Sequence, residues 1–167
     1  MAVRVVLRRP CAADQSTFLE AVQRSRALHG PWVQAPATPR QFRAFLRRQK
    51  NPAQCGFLVC HPRTQALLGV INISEIVRGN FCSAYLGYYA FAGHERQGHM
   101  RAGLRAVIRH AFGALKLHRL EANIQPGNHA SIALVRACGF DREGYSPRYL
   151  KVGGRWRDHE RWATRAS

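Results

Sequence analysis

The first half of the chain alternates between short apolar runs, which are typical of strands, and apolar residues at helical spacing. Four such runs predict strands, at residues 3–7, 57–60, 67–73 and 84–90. Between the first two runs, apolar side chains recur at helical spacing after Phe18 and again after Phe42, which predicts two helices. Asp14 and Thr38 stand where the N-caps of these helices are expected. The predicted order is strand, two helices and three strands.

The second half changes to a strand–helix–strand pattern. Apolar residues spaced three and four apart between residues 100 and 115 predict a long helix that begins near Gly98. A strand at 120–124 follows, and then a shorter helix that Asn128 caps and Gly139 ends. The C-terminal segment predicts two further strands joined by a glycine turn. The whole pattern predicts a mixed α/β fold of about seven strands and four helices.

The composition agrees with a single folded domain and adds a strong charge. The chain has 167 residues, 46% of them apolar, so residues 1–167 are expected to fold as one domain around a continuous core. Twenty-six Lys and Arg against nine Asp and Glu give a net charge of +17. Such a charge favours an anionic partner, namely nucleic acid, an acidic membrane surface or a polyphosphorylated small molecule.

Other patterns argue against a metal site and against secretion. The five cysteines include no C-x-x-C pair, and Cys55 and Cys60 lie in an apolar run, which favours buried thiols over zinc ligands. The eight histidines form no H-x-x-x-H pair, so no metal is expected. The N-terminus lacks the pattern of a signal peptide, and no run approaches the ~18 apolar residues of a membrane span. We therefore expect a cytoplasmic protein without a membrane partner.

The segment Gln97-Gly98-His99-Met100 is the most informative for function because it joins a strand to the start of the long helix. A glycine there lets the backbone approach a ligand closely. The first N–H groups of a helix, together with the positive end of its dipole, form an anion site. Neither G-x-x-x-x-G-K-[ST] nor G-x-G-x-x-G occurs. These residues alone leave a structural turn and a phosphate-binding loop equally open.

The order of elements, the Gln97-Gly98 junction and the helix start at 128–131 together resemble the GNAT superfamily of acetyl-CoA-dependent N-acetyltransferases. Three motifs are similar to its branch that acetylates ribosomal-protein N-termini at alanine or serine: LGY at 86–88, HRLEAN at 118–123 and GGRWRDH at 153–159. The similarity begins near residue 67 and continues to the C-terminus. It implies a GNAT-like three-layer fold with a central, mostly antiparallel sheet.

The resemblance implies that acetyl-CoA is the cosubstrate and that the loop before the long helix holds its diphosphate. The expected backbone donors are Gln97, Gly98, His99, Met100, Arg101 and Ala102. Glu95 and Met100 depart from the family's Q/R-x-x-G-x-G/A pattern. Asn128 matches the asparagine that hydrogen-bonds the pantetheine arm, and a plain N-cap is its structural alternative. Strand N–H groups near Tyr88 and Tyr89 are expected to polarise the thioester carbonyl.

The catalytic side chains are less well defined. Ser131 matches a hydroxyl that stabilises or protonates the departing thiolate, although serine is also common in the first turn of a helix. Two carboxylates are candidates for the general base, Glu121 on the fifth strand and Glu75 at the end of the third, with a surface salt bridge favoured for each. An N-terminal α-amine has a pKa of roughly 7.7 to 8.0, against ~10.4 for lysine, so it does not require a strong base.

The C-terminal hairpin carries an aromatic and charged cluster for which structural roles are favoured. Trp156 and Trp162 are expected to pack rather than to stack on a ligand. Asp158 is expected to form a structural pair with Arg157 or His159. No G-x-S-x-G motif accompanies them, so a hydrolytic triad is not expected.

We therefore expect an acetyl-CoA-dependent N-acetyltransferase that acts on a primary amine, with the N-terminus of a ribosomal protein as the favoured acceptor. The alternative acceptor is a small amine such as an amino sugar, an antibiotic or a polyamine, and the charge of +17 disfavours a polycation. A non-catalytic RNA-binding module ranks third because no RNA-reading motif occurs. Docking on ribosomal RNA would reconcile the charge with a basic ribosomal acceptor, and a homodimer is left open.

Overall fold

The computed structural model describes residues 3–167, which form one seven-stranded sheet with helices on both faces. The strands are β1 Val6–Arg8, β2 Cys55–Cys60, β3 Leu67–Val77, β4 Ser83–Ala90, β5 Arg119–Ile124, β6 Asp141–Val152 and β7 Arg155–Arg165. The α-helices are α1 Gln15–Arg24, α2 Arg26–His29, α3 Pro39–Arg48, α4 His99–Gly113 and α5 His129–Ala137. The seven predicted strands and four long helices are confirmed. The single turn of α2 is additional, and β1 begins three residues later than predicted.

The sheet has the order β1-β2-β3-β4-β5-β7-β6, and every neighbouring pair is antiparallel except β4 and β5. The parallel pairing runs only from Ser83↔Arg119 to Leu86↔Ala122. Beyond Leu86 the two strands separate, so the last residues of β4 and β5 border an open cleft rather than each other. This separation positions the candidate active site.

Two apolar cores cover the two faces of the sheet. One face packs against α4 and α5, with side chains such as Ile71, Leu104, Leu120 and Val135 fully buried. The other packs against α1 and α3 through an aromatic cluster that includes Phe18, Phe42, Phe45 and Phe91. Fully burying one such side chain contributes roughly 1.5–3 kcal/mol. The predicted three-layer arrangement follows from these two cores.

The caps of the first two long helices differ from each other. Thr38 caps α3 as predicted, because its hydroxyl accepts the backbone N–H of Gln41 at 3.2 Å. Asp14 does not cap α1. A short 3₁₀ turn precedes this helix, and the Asp14 carboxylate accepts from the Arg8 guanidinium at 2.6 and 2.9 Å and from the Cys11 N–H at 2.8 Å. Asp14 therefore ties β1 to the turn that begins the first helical segment.

Two predictions for the C-terminal hairpin are wrong. Trp156 is 61% exposed because it lies beside the turn at the tip of the hairpin, whereas Trp162 is buried as expected. Asp158 pairs with neither of its sequence neighbours, because adjacent side chains on a strand point to opposite faces. Its carboxylate instead accepts from the Tyr145 hydroxyl at 2.5 Å and from the Arg148 N–H at 2.8 Å. These bonds join β7 to β6.

Candidate active site

The cleft between β4 and β5 is a pocket of about 380 Å³ that passes through the sheet. Successive side chains of a strand point to opposite faces, so the face of each lining residue follows from the strand pairing. On the α4/α5 face the pocket is lined by Leu86, Tyr88, Ala122, Ile124, Asn128 and Ser131. On the α1/α3 face it is lined by Trp32, Gln34, Asn72, Asn123 and His159. Two reactants can therefore meet in the pocket from opposite sides of the sheet.

Two hydroxyl groups lie together on the α4/α5 side of the pocket. The Tyr88 and Ser131 hydroxyl oxygens lie 2.7 Å apart and share a hydrogen bond. Burial raises the pKa of Tyr88, so its phenol remains protonated across the physiological range. Asn128 caps α5 with its side-chain oxygen, which accepts the Ser131 N–H at 3.3 Å. The structure thus brings together Tyr88, Asn128 and Ser131, and it confirms the N-cap role of Asn128.

One backbone N–H of β4 faces the cleft. Phe91 donates its N–H to Leu68 on β3 at 2.9 Å, and N–H directions alternate along an antiparallel strand. The Tyr89 amide therefore points toward β3 and the Tyr88 amide points into the cleft, where β5 no longer pairs with it. Of the two positions predicted to polarise a carbonyl group, Tyr88 has the free donor. Tyr89 contributes its side chain to the pocket wall.

The loop before α4 has the geometry of an anion site. Gly98 is the N-cap residue with φ +80°, and Arg96 also has a positive φ of 59°. The Ala102 N–H donates to the Gly98 carbonyl at 3.0 Å, so Ala102 is not a free donor. The free amides of the first turn belong to the three residues between them, His99, Met100 and Arg101. These amides and the exposed Arg96 and Arg101 side chains can hold a phosphate.

The two departures from the family pattern do not block this loop. The Met100 side chain turns inward over Gly69 of β3, where an added Cβ would collide with its sulfur. The Glu95 carboxylate folds back onto its own turn and accepts the Gly93 N–H at 2.7 Å. The backbone donors of the helix start therefore remain exposed toward the ligand side.

Three histidines meet beside the loop without forming a metal site. The ring of His99 lies 6.1 Å from that of His61 and 6.4 Å from that of His94. Burial, together with these two neighbours, lowers the pKa of His99, so anion binding depends on the amides and arginines. Within residues 3–167, no three His, Cys, Asp or Glu side chains form a group that could hold a metal ion. None of the helices in that range is both long and apolar enough to cross a membrane.

Neither carboxylate predicted as a base lines the pocket. Glu121 accepts from Arg119 Nε at 2.8 Å, and Arg119 also binds Glu143, so this side chain belongs to a surface ion-pair network. Glu75 is exposed at an irregularity of β3, where its φ is +50°. The sequence suggested only a structural pairing with Asp158 for His159, which the strand pairing places inside the pocket.

We expect the Glu121→Gln and Glu75→Gln variants to retain most of their activity. Loss of a positioned base lowers the rate by roughly 10²-fold or more, and each of these changes should cost less than that because neither side chain reaches the pocket. Steady-state kinetics with saturating acetyl-CoA measures the effect. A 100-fold loss in either variant would identify that carboxylate as the base.

This chain belongs to the acetyltransferase (GNAT) domain family, whose model matches residues 4–141. The superfamily predicted from the sequence is thereby confirmed. The ribosomal protein uS5-alanine N-acetyltransferase of Escherichia coli K12 is 40% identical over 98 residues, which are 59% of this chain and 50% of that protein. The chain spans about half the length of the curated relatives it matches.

Two solved structures have the same fold. Mycobacterium smegmatis RimJ in complex with CoA-disulfide is 27% identical with a TM-score of 0.86, over 97% of this chain and 82% of that one. The spermidine N-acetyltransferase of Vibrio cholerae in complex with CoA and spermine is 20% identical with a TM-score of 0.80, over 96% and 95%. At that identity the second likeness shows the fold alone. Because a ribosomal-protein-alanine N-acetyltransferase and a spermidine N-acetyltransferase both occur among these similar proteins, the acceptor of this chain has to be argued from its own pocket.

Proposed function

We propose that this chain is an acetyl-CoA-dependent N-acetyltransferase whose acceptor is the α-amine of a protein N-terminus. The observation that carries the proposal is the pocket through the sheet, with a hydroxyl pair on one side and a polar wall without carboxylates on the other. Family membership supports acetyl-CoA as the donor. The free amides that open α4 suit its diphosphate, and Asn128 stands at the cleft where its pantetheine arm would pass.

The residues of the α4/α5 side fit a direct acetyl transfer. The amine nitrogen forms a bond to the thioester carbon as the carbon–sulfur bond breaks. The Tyr88 N–H donates to the carbonyl oxygen as negative charge develops there. Ser131 donates its hydroxyl proton to the departing sulfur and takes a proton from the Tyr88 hydroxyl, 2.7 Å away. The raised pKa of Tyr88 keeps its phenol protonated until the transfer, so Tyr88 and Ser131 both begin the reaction with their protons.

The charges on the acceptor side favour a peptide over a polyamine. A second cavity of about 540 Å³ adjoins the pocket through Val33 and Gln34, and Arg26 and Arg48 line it. Lys151 lines the pocket itself, and neither lining includes an Asp or Glu. A polyamine would bring further positive charges close to these side chains, which like-charge repulsion disfavours. An N-terminal α-amine has a pKa of roughly 7.7 to 8.0, so at least about half of it is neutral at pH 8, and it brings at most one positive charge.

A matched set of acceptors tests this proposal. We expect peptides beginning with Ala or Ser to exceed the same peptides with a blocked N-terminus and an internal Lys by roughly 10²-fold in kcat/KM at pH 7, because the two amines differ by about 2.5 pKa units. Spermidine should be a poorer substrate than the Ala peptide. Acetylation is measured as release of free CoA thiol.

Two results would contradict the proposal at different levels. Preference for the lysine ε-amine, for spermidine or for an amino sugar over every peptide would overturn the acceptor while leaving acetyl transfer intact. Failure of any primary amine to release CoA, in a protein that binds acetyl-CoA, would overturn the catalytic function itself.

A further inference from the structure

His159 is a buried titratable side chain for which the reaction described above has no role. It lies on β7 with only 3% of its surface exposed, and it lines the pocket. Trp162 is on the α4/α5 face of β7, so His159, three residues away, points to the opposite face, as does Asn123 of β5. His159 therefore stands on the side from which the acceptor enters.

The hydrogen bonding of His159 determines which nitrogen can accept a proton. Its Nδ1 lies 2.9 Å from the carbonyl oxygen of Arg157. A carbonyl oxygen only accepts, so Nδ1 carries the hydrogen and donates it. In the neutral imidazole Nε2 then holds the lone pair. The backbone of β7 thus holds this side chain in the tautomer that a general base requires.

Asn123 offers a second acceptor beside it. Its side-chain oxygen is buried and has no hydrogen-bond partner within residues 3–167. Asn123 pairs with Arg161 across β5 and β7, so Asn123 and His159 are diagonal neighbours on one face, with Cα atoms roughly 7–8 Å apart. A neutral primary amine has two N–H groups and one lone pair. These two acceptors can take the N–H groups and leave the lone pair free for attack.

We infer that His159 Nε2 is the general base of the transfer and that Asn123 orients the amine with it, an inference that rests on the proposed function. Nε2 takes the proton that the nitrogen loses as the new carbon–nitrogen bond forms. On the other side of the pocket the carbon–sulfur bond breaks and Ser131 gives a proton to the sulfur. One proton enters His159, and one leaves Tyr88 through Ser131, so the step is balanced, and exchange with water restores His159 and Tyr88.

The other charged and titratable groups around His159 do not offer an alternative base. The ring centroid of Tyr149 on β6 lies 6.4 Å from that of His159, and Lys151 on the same strand lines the pocket. Arg157 and Arg161 share its face of β7. No carboxylate lines the pocket, and the tyrosines of β4 have pKa values that burial raises. The free lone pair on Nε2 of the neutral His159 imidazole is suited to take a proton.

Two substitutions separate catalysis from structure. In His159→Asn the amide nitrogen occupies about the place of Nδ1, so the bond to Arg157 can remain while Nε2 is lost. We expect kcat to fall about 100-fold with a melting temperature close to wild type. His159→Gln, which places its amide near Nε2 and gives up the Nδ1 position, should be equally slow and less stable. His118→Asn, an exposed histidine outside the pocket, is the control.

The pH profile gives a readout that a structural role would not change. On its acidic side, wild-type log kcat/KM should rise with a limiting slope of 2, because both the amine and His159 must lose a proton. In His159→Asn the slope should fall to 1, and added imidazole should restore part of the rate. Near-wild-type kcat in His159→Asn, or an unchanged slope of 2, would overturn the inference.

The profiles also distinguish this inference from the acceptor proposal. They are recorded with whichever primary amine the wild-type protein acetylates, because the argument concerns only the nitrogen. One outcome is that peptides are not acetylated but another amine is, with a slope of 2 that His159→Asn reduces to 1. That outcome would contradict the proposed acceptor and support His159 as the base. If the wild-type protein acetylates peptides with a slope of 1, the role of His159 as base is contradicted and the proposed acceptor is supported.

Discussion

Replacing Gly98 with Trp is expected to weaken acetyl-CoA binding by at least 100-fold while leaving most of the fold in place. Gly98 has φ +80° and stands directly before the free amides of α4. An indole there covers the donors, and charge-assisted hydrogen bonds of this kind are worth roughly 1.5–3 kcal/mol each. Loss of two of them, about 3–6 kcal/mol, corresponds to roughly 10² to 10⁴ in affinity. The strain of a non-glycine residue in this conformation is of order 1–2 kcal/mol, which a folded domain can tolerate.

Gly79→Trp is the matched control for this substitution. Gly79 has φ +70° in the turn between β3 and β4, and an added Cβ there meets no atom within 4 Å. Both variants therefore have a similar backbone strain, but only Gly98→Trp covers the loop. Calorimetric titration with acetyl-CoA and far-UV circular dichroism measure affinity and fold. Equal affinity of the Gly98→Trp and wild-type proteins would show that the diphosphate binds elsewhere.

Ser131→Ala is expected to lower kcat by about 100-fold and to leave the KM for acetyl-CoA nearly constant. The hydroxyl acts on the sulfur only as negative charge develops there, so its loss raises the barrier without weakening the ground state. Tyr88→Phe removes the hydroxyl that shares a proton with Ser131 at 2.7 Å and should give a similar loss. Because the two groups act in series, the double variant should be little worse than either single variant.

Tyr145→Phe provides a control for the loss of a tyrosine hydroxyl, since Tyr145 binds Asp158 on the C-terminal hairpin and does not line the pocket. It should keep wild-type turnover. A rise in KM alone for Ser131→Ala would assign its hydroxyl to donor binding. No change in either constant would leave Ser131 as an ordinary residue of the first turn of α5. Additive losses in the double variant would mean that Tyr88 and Ser131 act independently.

The parts of the fold that depend on local sequence were predictable. Hydrophobic periodicity located the long helices and the strands, and Thr38 and Asn128 indicated helix starts because a cap acts within three residues. The separation of β4 from β5 was not predictable from the sequence, because the length over which two strands pair depends on contacts between residues far apart in the chain. Asp14 shows the same limit, because its partner Arg8 competes with the capping role that its position suggests.

The candidate site divides in the same way. Gly98 stands at a helix start and carries a local signal, so the sequence indicated it directly, whereas Ser131 was assigned from the family resemblance. The Tyr88–Ser131 bond joins residues 43 positions apart, and nothing near either one announces it. His159 could be assigned to the pocket only after the register of β7 against β5 gave its face. Side-chain alternation along the C-terminal strand was the one signal that could have suggested it earlier.

Because the pocket between β4 and β5 is lined from both faces of the sheet, the elements on one face can change during evolution independently of those on the other. The loop before α4 and the hydrogen-bonded pair of Tyr88 and Ser131 lie on the face of the sheet that α4 and α5 cover. The helices α1 to α3 and the loop that carries Trp32 cover the opposite face. Substitutions in α1 to α3 are therefore expected to alter which amine enters without disturbing the proposed thioester chemistry. Exchange of that segment between relatives becomes a route to new acceptor specificity on an unchanged catalytic frame.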